Sequence, residues 1–181
     1  MRHAGTISLR VVGLAASLAL ATAGARAQDI QADYDRSYDF SKLKTYAFAE
    51  QVRGPNDPLT VNPINERRVR AALDSELVAR GYTPAEGGKP DFLVAYHAAT
   101  RNRVGVQQWG YGPGRWGSRR VDVNEYTQGT LVVDVVDAAD RQLVWRGSAT
   151  GAIEPKEADK KIKKAVGKLM EQLTKDTKPK S

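Results

Sequence analysis

The sequence predicts an α+β fold, a two-layer α/β sandwich with two helices packed on one face of a mostly antiparallel sheet. Three observations carry this. Two segments place apolar residues at helical spacing, several others alternate apolar and polar residues, and the order runs strand, strand, helix, four or five strands, helix. Most strands follow one another as a meander, so only the crossover through the first helix can bring in a parallel neighbour.

The elements follow in chain order. Between Ile30 and Glu50, Tyr34, Tyr38, Phe40, Leu43, Tyr46 and Phe48 are interrupted by the polar stretch Asp39 to Lys42, which reads as a short strand, a turn and a second strand ending near Phe48. Gln51 to Thr60 holds Gly54, Pro55, Asn56, Asp57 and Pro58 and reads as a loop. Asn62 and Pro63 then start a helix: the Asn side chain can cap free amides, and proline at the first helical position gives up only an unpartnered donor. That helix runs to Arg80, with Val69, Leu73 and Leu77 as its apolar stripe, Ala72 and Val78 beside it, a solvated basic face of Arg67, Arg68 and Arg70, and Gly81 to end it.

Asp91 to Thr100 is the clearest strand. Phe92, Val94, Tyr96 and Ala98 fall on one face and Leu93, Ala95, His97 and Ala99 on the other, so both faces are expected to be partly buried. Arg103 to Gln108 and Val121 to Thr127 read as further strands around a glycine-rich loop, Gly110 to Gly117. Gly129 to Val136 and Gln142 to Gly151 form a hairpin around the turn Asp137 to Asp140, with Leu131, Val133 and Val135 facing one way, as do Leu143 and Trp145. Pro155 opens the last helix. Ile162, Val166, Leu169 and Leu173 are its stripe, Lys160, Lys161, Lys163, Lys164 and Lys168 cover the other faces, and the chain is expected to fray from Lys175.

Residues 1–27 read as a secretory signal. Arg2 and Arg10 give a basic start, Val11 to Ala23 an apolar run, and Ala25-Arg26-Ala27 a small-x-small cleavage site before Gln28. The apolar run falls short of the roughly 18 residues that a membrane-spanning helix needs. The expected organisation is therefore a signal over 1–27, a single domain over 28–175 and a disordered basic tail over 176–181. Removing the signal takes away three arginines and no acid, leaving 25 basic against 21 acidic residues. The absence of cysteine excludes disulfides, thiolate chemistry and lipid attachment through an N-terminal cysteine. The expected address is the bacterial periplasm or outer envelope without a lipid anchor, and such an address removes nucleic acid as a routine partner.

With these elements in place, a family resemblance emerges. Asp33-Tyr34-Asp35, the run Asp39-Phe40-Ser41-Lys42-Leu43-Lys44-Thr45-Tyr46-Ala47-Phe48, the helix end Gly81-Tyr82, the strand Pro90-Asp91-Phe92-Leu93-Val94, the glycine-aromatic stretch and Gly129-Thr130-Leu131-Val132-Val133-Asp134 together resemble domain of unknown function 4136. This is a family of small exported bacterial proteins, many of them lipoproteins. The resemblance implies an envelope location and a compact two-layer domain, and supplies no catalytic residue. The sequence departs from many members in lacking a lipidation cysteine.

The chemistry-bearing residues give few enzymatic options. His97 is the only histidine after residue 27 and no Gly-x-Ser-x-Gly elbow accompanies it, so a histidine on a partly buried strand face with locally satisfied nitrogens is the simpler expectation. Asp33 with Asp35 reads as an acidic strand edge, and Asp134, Asp137 and Asp140 as turn chemistry, because neither group has calcium-loop spacing. No phosphate loop, dinucleotide fingerprint or metal motif is present, so no cofactor is expected.

The most informative segment runs from Trp109 to Arg120. Trp109, Tyr111, Arg115, Trp116 and Arg119 sit among glycines that prevent regular burial, and flat rings with planar cations are what partner anchors and sugar platforms use. The expected function is a non-catalytic envelope binding or accessory domain that contacts an envelope protein or glycan through this loop. Two alternatives are an envelope hydrolase using carboxylates such as Asp122 or Glu125, and a basic surface protein held on anionic membrane by Lys160, Lys161, Lys163, Lys164 and Lys168.

Overall fold

Among the described residues, the helices pack on one face of a six-stranded sheet. The computed structural model describes residues 28–50, 53–109 and 120–178, and the side chains of 28–50, 53–103 and 125–178. The elements are β1 (Asp29–Tyr34), β2 (Thr45–Phe48), α1 (Pro58–Val61), α2 (Pro63–Ala79), β3 (Thr83–Pro84), β4 (Phe92–Trp109), β5 (Arg120–Asp137), β6 (Leu143–Ala152) and α3 (Ala158–Asp176). Strand order is β1-β6-β5-β4-β2-β3. The pairs β1–β6, β5–β6 and β4–β5 are antiparallel, whereas β2 runs parallel to β3 and β4. The crossover through the first long helix does bring in the parallel neighbour. The first two strands end up on opposite sides of the sheet.

The run Asp39 to Tyr46 works as a structural clasp. Asp39 Oδ1 accepts the Ser41 backbone N–H at 3.0 Å and starts a single 3-10 turn. Phe40 packs edge-on to Tyr38 with ring centroids 4.9 Å apart, and Leu43 is buried. The backbone N–H groups of Lys44 and Thr45 both donate to Asp91 Oδ2, at 2.9 and 2.7 Å, which locks the entry of β2 to the start of β4.

Helix starts obey local chemistry, with one correction. Asn62 Oδ1 accepts from the Asn65 N–H at 3.1 Å with Pro63 behind it, and Gly81 at φ +89° leaves the helix in the left-handed region. The expected loop over Gln51 to Thr60 instead contains α1, because Asp57 caps Leu59 N–H at 2.7 Å and Pro58 supplies the same capping pair one turn earlier. On α2, Val69, Ala72, Leu73 and Leu77 are buried, but Val78 points to solvent. Of its arginines, Arg70 lies over the Phe48 ring at 4.4 Å and Arg68 bonds Asn65 Oδ1 at 2.9 Å, so that face is only partly free in water.

The separate strands expected after the helix merge into three long ones. β4 runs on through Arg101 and Asn102 and β5 through Gln128, so the backbone stays extended between the segments expected as separate strands. Phe92, Val94 and Tyr96 are buried under the helices, while Leu93 and Ala95 are half-buried and His97 and Ala99 exposed on the other face. The expectation of a partly buried, locally satisfied His97 is thus corrected: among the described residues no helix covers the face it occupies. A register irregularity between Val135 and Val136 turns Leu143 outward and lets Val144 and Trp145 both enter the core. Asp134 also leaves the turn reading, since it lies within β5 and takes Arg146 Nε and Nη2 at 2.6 and 2.7 Å.

Aromatic rings with polar tips stitch the two layers together. Tyr46 donates to Asp74 and Tyr96 to Glu66, both at 2.6 Å and both onto α2, and Trp145 Nε1 donates to Asp176 of α3 at 3.0 Å. Each buries its ring and still satisfies its polar end. The last bond extends α3 to Asp176, past the fraying expected from Lys175. Gly147 is required beside Trp145, because a Cβ there would sit 2.2 Å from the indole Cη2.

Candidate functional site

Three places in the fold combine recognition chemistry with accessibility. The first follows from the length of β4 and β5. They remain paired rung by rung to Trp109↔Arg120, while β6 accompanies β5 only from Gln128 onward and β2 accompanies β4 only as far as Val94. Eight rungs beyond Arg101↔Gln128, at about 3.3 Å each, give a two-stranded ribbon roughly 25 Å long. Among the described residues, no strand pairs with either edge of this ribbon. The backbones of Trp109 and Arg120 close it; the Trp109 side chain and Tyr111, Arg115, Trp116 and Arg119 lie outside the described residues. So does the side chain of Asp122, whose backbone pairs with Gln107, while Glu125 is exposed opposite Val104.

The second place is the base of the ribbon on the helix side. The sheet positions that face the helices there are Ala98 on β4, Gly129 and Leu131 on β5, and Ala149 and Gly151 on β6. Ala158, Ile162 and Ala165 of α3, with Leu59 of α1 and Val69 of α2, form the opposite wall. Small residues on both walls leave space between the layers, and a predominantly apolar recess of about 140 Å³ results. Its polar neighbours are mostly engaged. Lys161 Nζ donates to Ala152 O at 3.1 Å and to Glu154 at 2.6 Å, Asn65 Oδ1 takes Arg68, and Thr130 Oγ1 lies 3.0 Å from Thr150 Oγ1. Gln28 Nε2 donates to Lys161 O at 3.1 Å, yet its Oε1 is buried without a hydrogen-bond partner. Sequence reading missed this site. Its signal was present in the small residues that recur at helix-facing positions once strand register is known.

The third place is a groove at the opposite end, lined by Lys42, Lys89, Asp91, Asp137 and Arg141. Both carboxylates there are committed to the fold. Asp137 accepts the Tyr38 hydroxyl and the Ala139 N–H (2.8 Å), with Lys42 Nζ at 3.1 Å, and the Tyr38 bond above all lowers its pKa to about 2. Asp91 is likewise held below the usual carboxylate range by backbone N–H donors, Thr45 first. Groups so stabilised as anions are poor proton donors near neutral pH. Burial and the Asp137 carboxylate push the Tyr38 phenol up to about 12. Among the described residues, no cluster of three or more His, Asp or Glu side chains is arranged to hold a metal ion.

The lysine face of α3 is electrically mixed. Lys163 pairs with Asp159 at 2.9 Å and Lys161 with Glu154, while Lys160 and Lys164 are exposed and Lys168 half-buried. No helix among the described residues is long and apolar enough to cross a membrane.

Comparison with known proteins places these features in a family. None of the curated proteins matches the sequence. Among solved structures, the chain is similar to a PDZ domain protein from Parabacteroides distasonis ATCC 8503, with a TM-score of 0.55 and 15% identity over 80% of this chain. The chain spans only 35% of that protein's length, and the likeness is one of fold. A PelC dodecamer structure from Paraburkholderia phytofirmans is also similar, with a TM-score of 0.44 and 11% identity over 81% of this chain and 97% of that one. The Asp39 to Tyr46 clasp, the β5–β6 hairpin and nearly all of the sheet fall within residues 30–173, the span matched by the family model "Domain of unknown function (DUF4136)", and the chain belongs to that family.

Proposed function

We propose that the protein is a non-catalytic binding domain of the bacterial envelope, exported by residues 1–27, that contacts an envelope protein or glycan through Trp109, Tyr111, Arg115, Trp116 and Arg119. The single observation that carries this reading is the paired ribbon, whose backbone register closes at Trp109↔Arg120, next to the residues with recognition chemistry. Regular strand pairing gives the ribbon a fixed backbone, and a fixed support lowers the ordering cost of binding.

Away from the ribbon, where Asp122 and Glu125 lie, many acids are committed to the fold rather than to hydrolysis. Asp74, Glu66 and Asp176 tie sheet to helix, Asp91 and Asp137 are held as anions by donors, and Asp134 is taken by Arg146. Anionic membrane attachment through α3 has less support, because Asp159 and Glu154 already neutralise Lys163 and Lys161.

The test is capture from envelope extract by the purified protein, wild type beside a Trp109→Ala/Trp116→Ala variant. The expected outcome is a discrete protein or glycan retained by the wild type and lost from the variant. Identical retention by both contradicts the loop's role.

A further inference from the structure

The sides of the ribbon carry main-chain chemistry that is distinct from its end. Along an antiparallel strand the backbone groups point alternately to one neighbour and the other, so contacts at the ribbon base fix which residues face each edge. On β4, Val94 O accepts the Ala49 N–H at 3.0 Å, Tyr96 O accepts from Arg53 Nε at 3.4 Å, and the Ala98 N–H donates to Asp57 Oδ2 at 3.3 Å. Even-numbered residues thus face away from β5, and the next toward the tip are Thr100, Asn102, Val104, Val106 and Gln108. On β5, Thr127 O accepts the Ile153 N–H at 2.8 Å, so odd-numbered residues face the β6 side, and the next toward the tip are Glu125, Val123 and Val121. Among the described residues no strand takes up either row.

Such a ribbon calls for completion. A lone two-stranded hairpin is marginally stable in water, and a third strand is what gives independent stability. Exposed edges are usually blunted by shortness, proline, lysine or a bulge, as at β3, which is two residues long and holds Pro84. Thr100 to Trp109 and Arg120 to Thr127 contain neither proline nor lysine, and their mutual pairing is unbroken. The two edges also complement each other in charge. Register puts Arg101 and Arg103 of β4 on the same ribbon face as Asp122 of β5, so a β4 edge beside another copy's β5 edge brings cations and an acid onto one surface. Strand direction agrees, because copies whose ribbons point the same way place β4 antiparallel to the neighbour's β5.

We propose that the ribbon is an assembly edge for a second copy of this chain. The β4 edge of one copy, Thr100 to Gln108, takes the β5 edge of the next, Val121 to Glu125, as an antiparallel neighbour. The contact is head to tail, so every copy offers one edge of each kind, and the ribbon end stays available for the partner contact proposed above.

The test is sedimentation velocity of the purified protein and edge variants, with far-UV circular dichroism confirming each fold. Proline at an outward-facing position removes an edge donor and leaves the β4–β5 ladder intact, so Val104→Pro blocks one edge and Val123→Pro the other. The wild type sediments as an assembly and each blocked variant alone as a monomer. An equimolar mixture of the two gives a dimer through the two edges left open. Arg101→Glu/Arg103→Glu weakens assembly by about ten-fold or more, and adding Asp122→Arg restores it; these charge variants keep the test decisive if proline unfolds the ribbon. The Trp109→Ala/Trp116→Ala variant assembles as the wild type does, which separates this contact from the loop reading. A monomeric wild type, or unchanged assembly in the blocked and charge variants, overturns the proposal. Self-association of Val123→Pro alone, or a mixture that stays monomeric, overturns the head-to-tail arrangement.

Discussion

The two ends of the helix-facing sheet surface share strands, register and helices, yet one is closed and the other open. At the closed end, Trp145 fills the space above Gly147, and Tyr46 and Tyr96 reach across to α2. At the open end, Ala98, Leu131 and Ala149 line a recess with Ala158 and Ala165. The comparison teaches that side-chain volume along a fixed register decides where a two-layer domain becomes solid and where it can receive something.

The largest expected effect comes from breaking the closed end. Trp145 is fully buried and hydrogen-bonded to Asp176, so Trp145→Ala removes a large ring and a bond between sheet and helix; a loss of about 3 to 5 kcal/mol is expected in urea unfolding. An intermediate effect belongs to acid. Because the folded Asp137 pKa is depressed, its contribution to stability is fully present above the unfolded value of about 3.9 and is lost as pH falls toward about 2. The wild type therefore loses urea midpoint steeply between pH 4 and pH 2, and Tyr38→Phe, which removes the leading cause of the shift, has a flatter acid limb. The pH values in that experiment are roughly those set by the two pKa limits.

The smallest effect is expected where the walls are open. Ala98→Leu places its added volume in the recess rather than in packed core, so stability should change by less than about 1 kcal/mol, with the melting temperature equal or raised. A loss comparable to that of Trp145→Ala in the same thermal measurement would mean that the two ends do not differ.

Much of the fold was legible because local chemistry agrees with tertiary structure. The Asn62-Pro63 start, the Gly81 stop, the β5–β6 turn and the parallel crossover follow from capping, turn geometry and chain connectivity. α1 escaped because Gly54, Pro55 and Pro58 read as loop punctuation, although Asp57-Pro58 has the same capping logic as Asn62-Pro63. The outward turn of Leu143 escaped because a one-residue register irregularity leaves no mark on alternation, and His97 because alternation does not say which sheet face stays uncovered. Of the candidate site, the sequence named the loop chemistry but not the continuous ribbon beneath it, since the polar residues Arg101, Asn102 and Gln128 separate the expected strands. The recess was invisible for a different reason: alanine and glycine look unremarkable until pairing aligns Ala98 with Leu131 and Leu131 with Ala149.

The central claim is that partners are met at the end of the ribbon rather than on the helices. A photo-crosslinking residue introduced in place of Tyr111, compared in intact cells with one in place of Ala71 on the exposed face of α2, tests it most directly. The account predicts a discrete covalent adduct from position 111 and none from position 71. Adducts from position 71 with none from position 111 would contradict it.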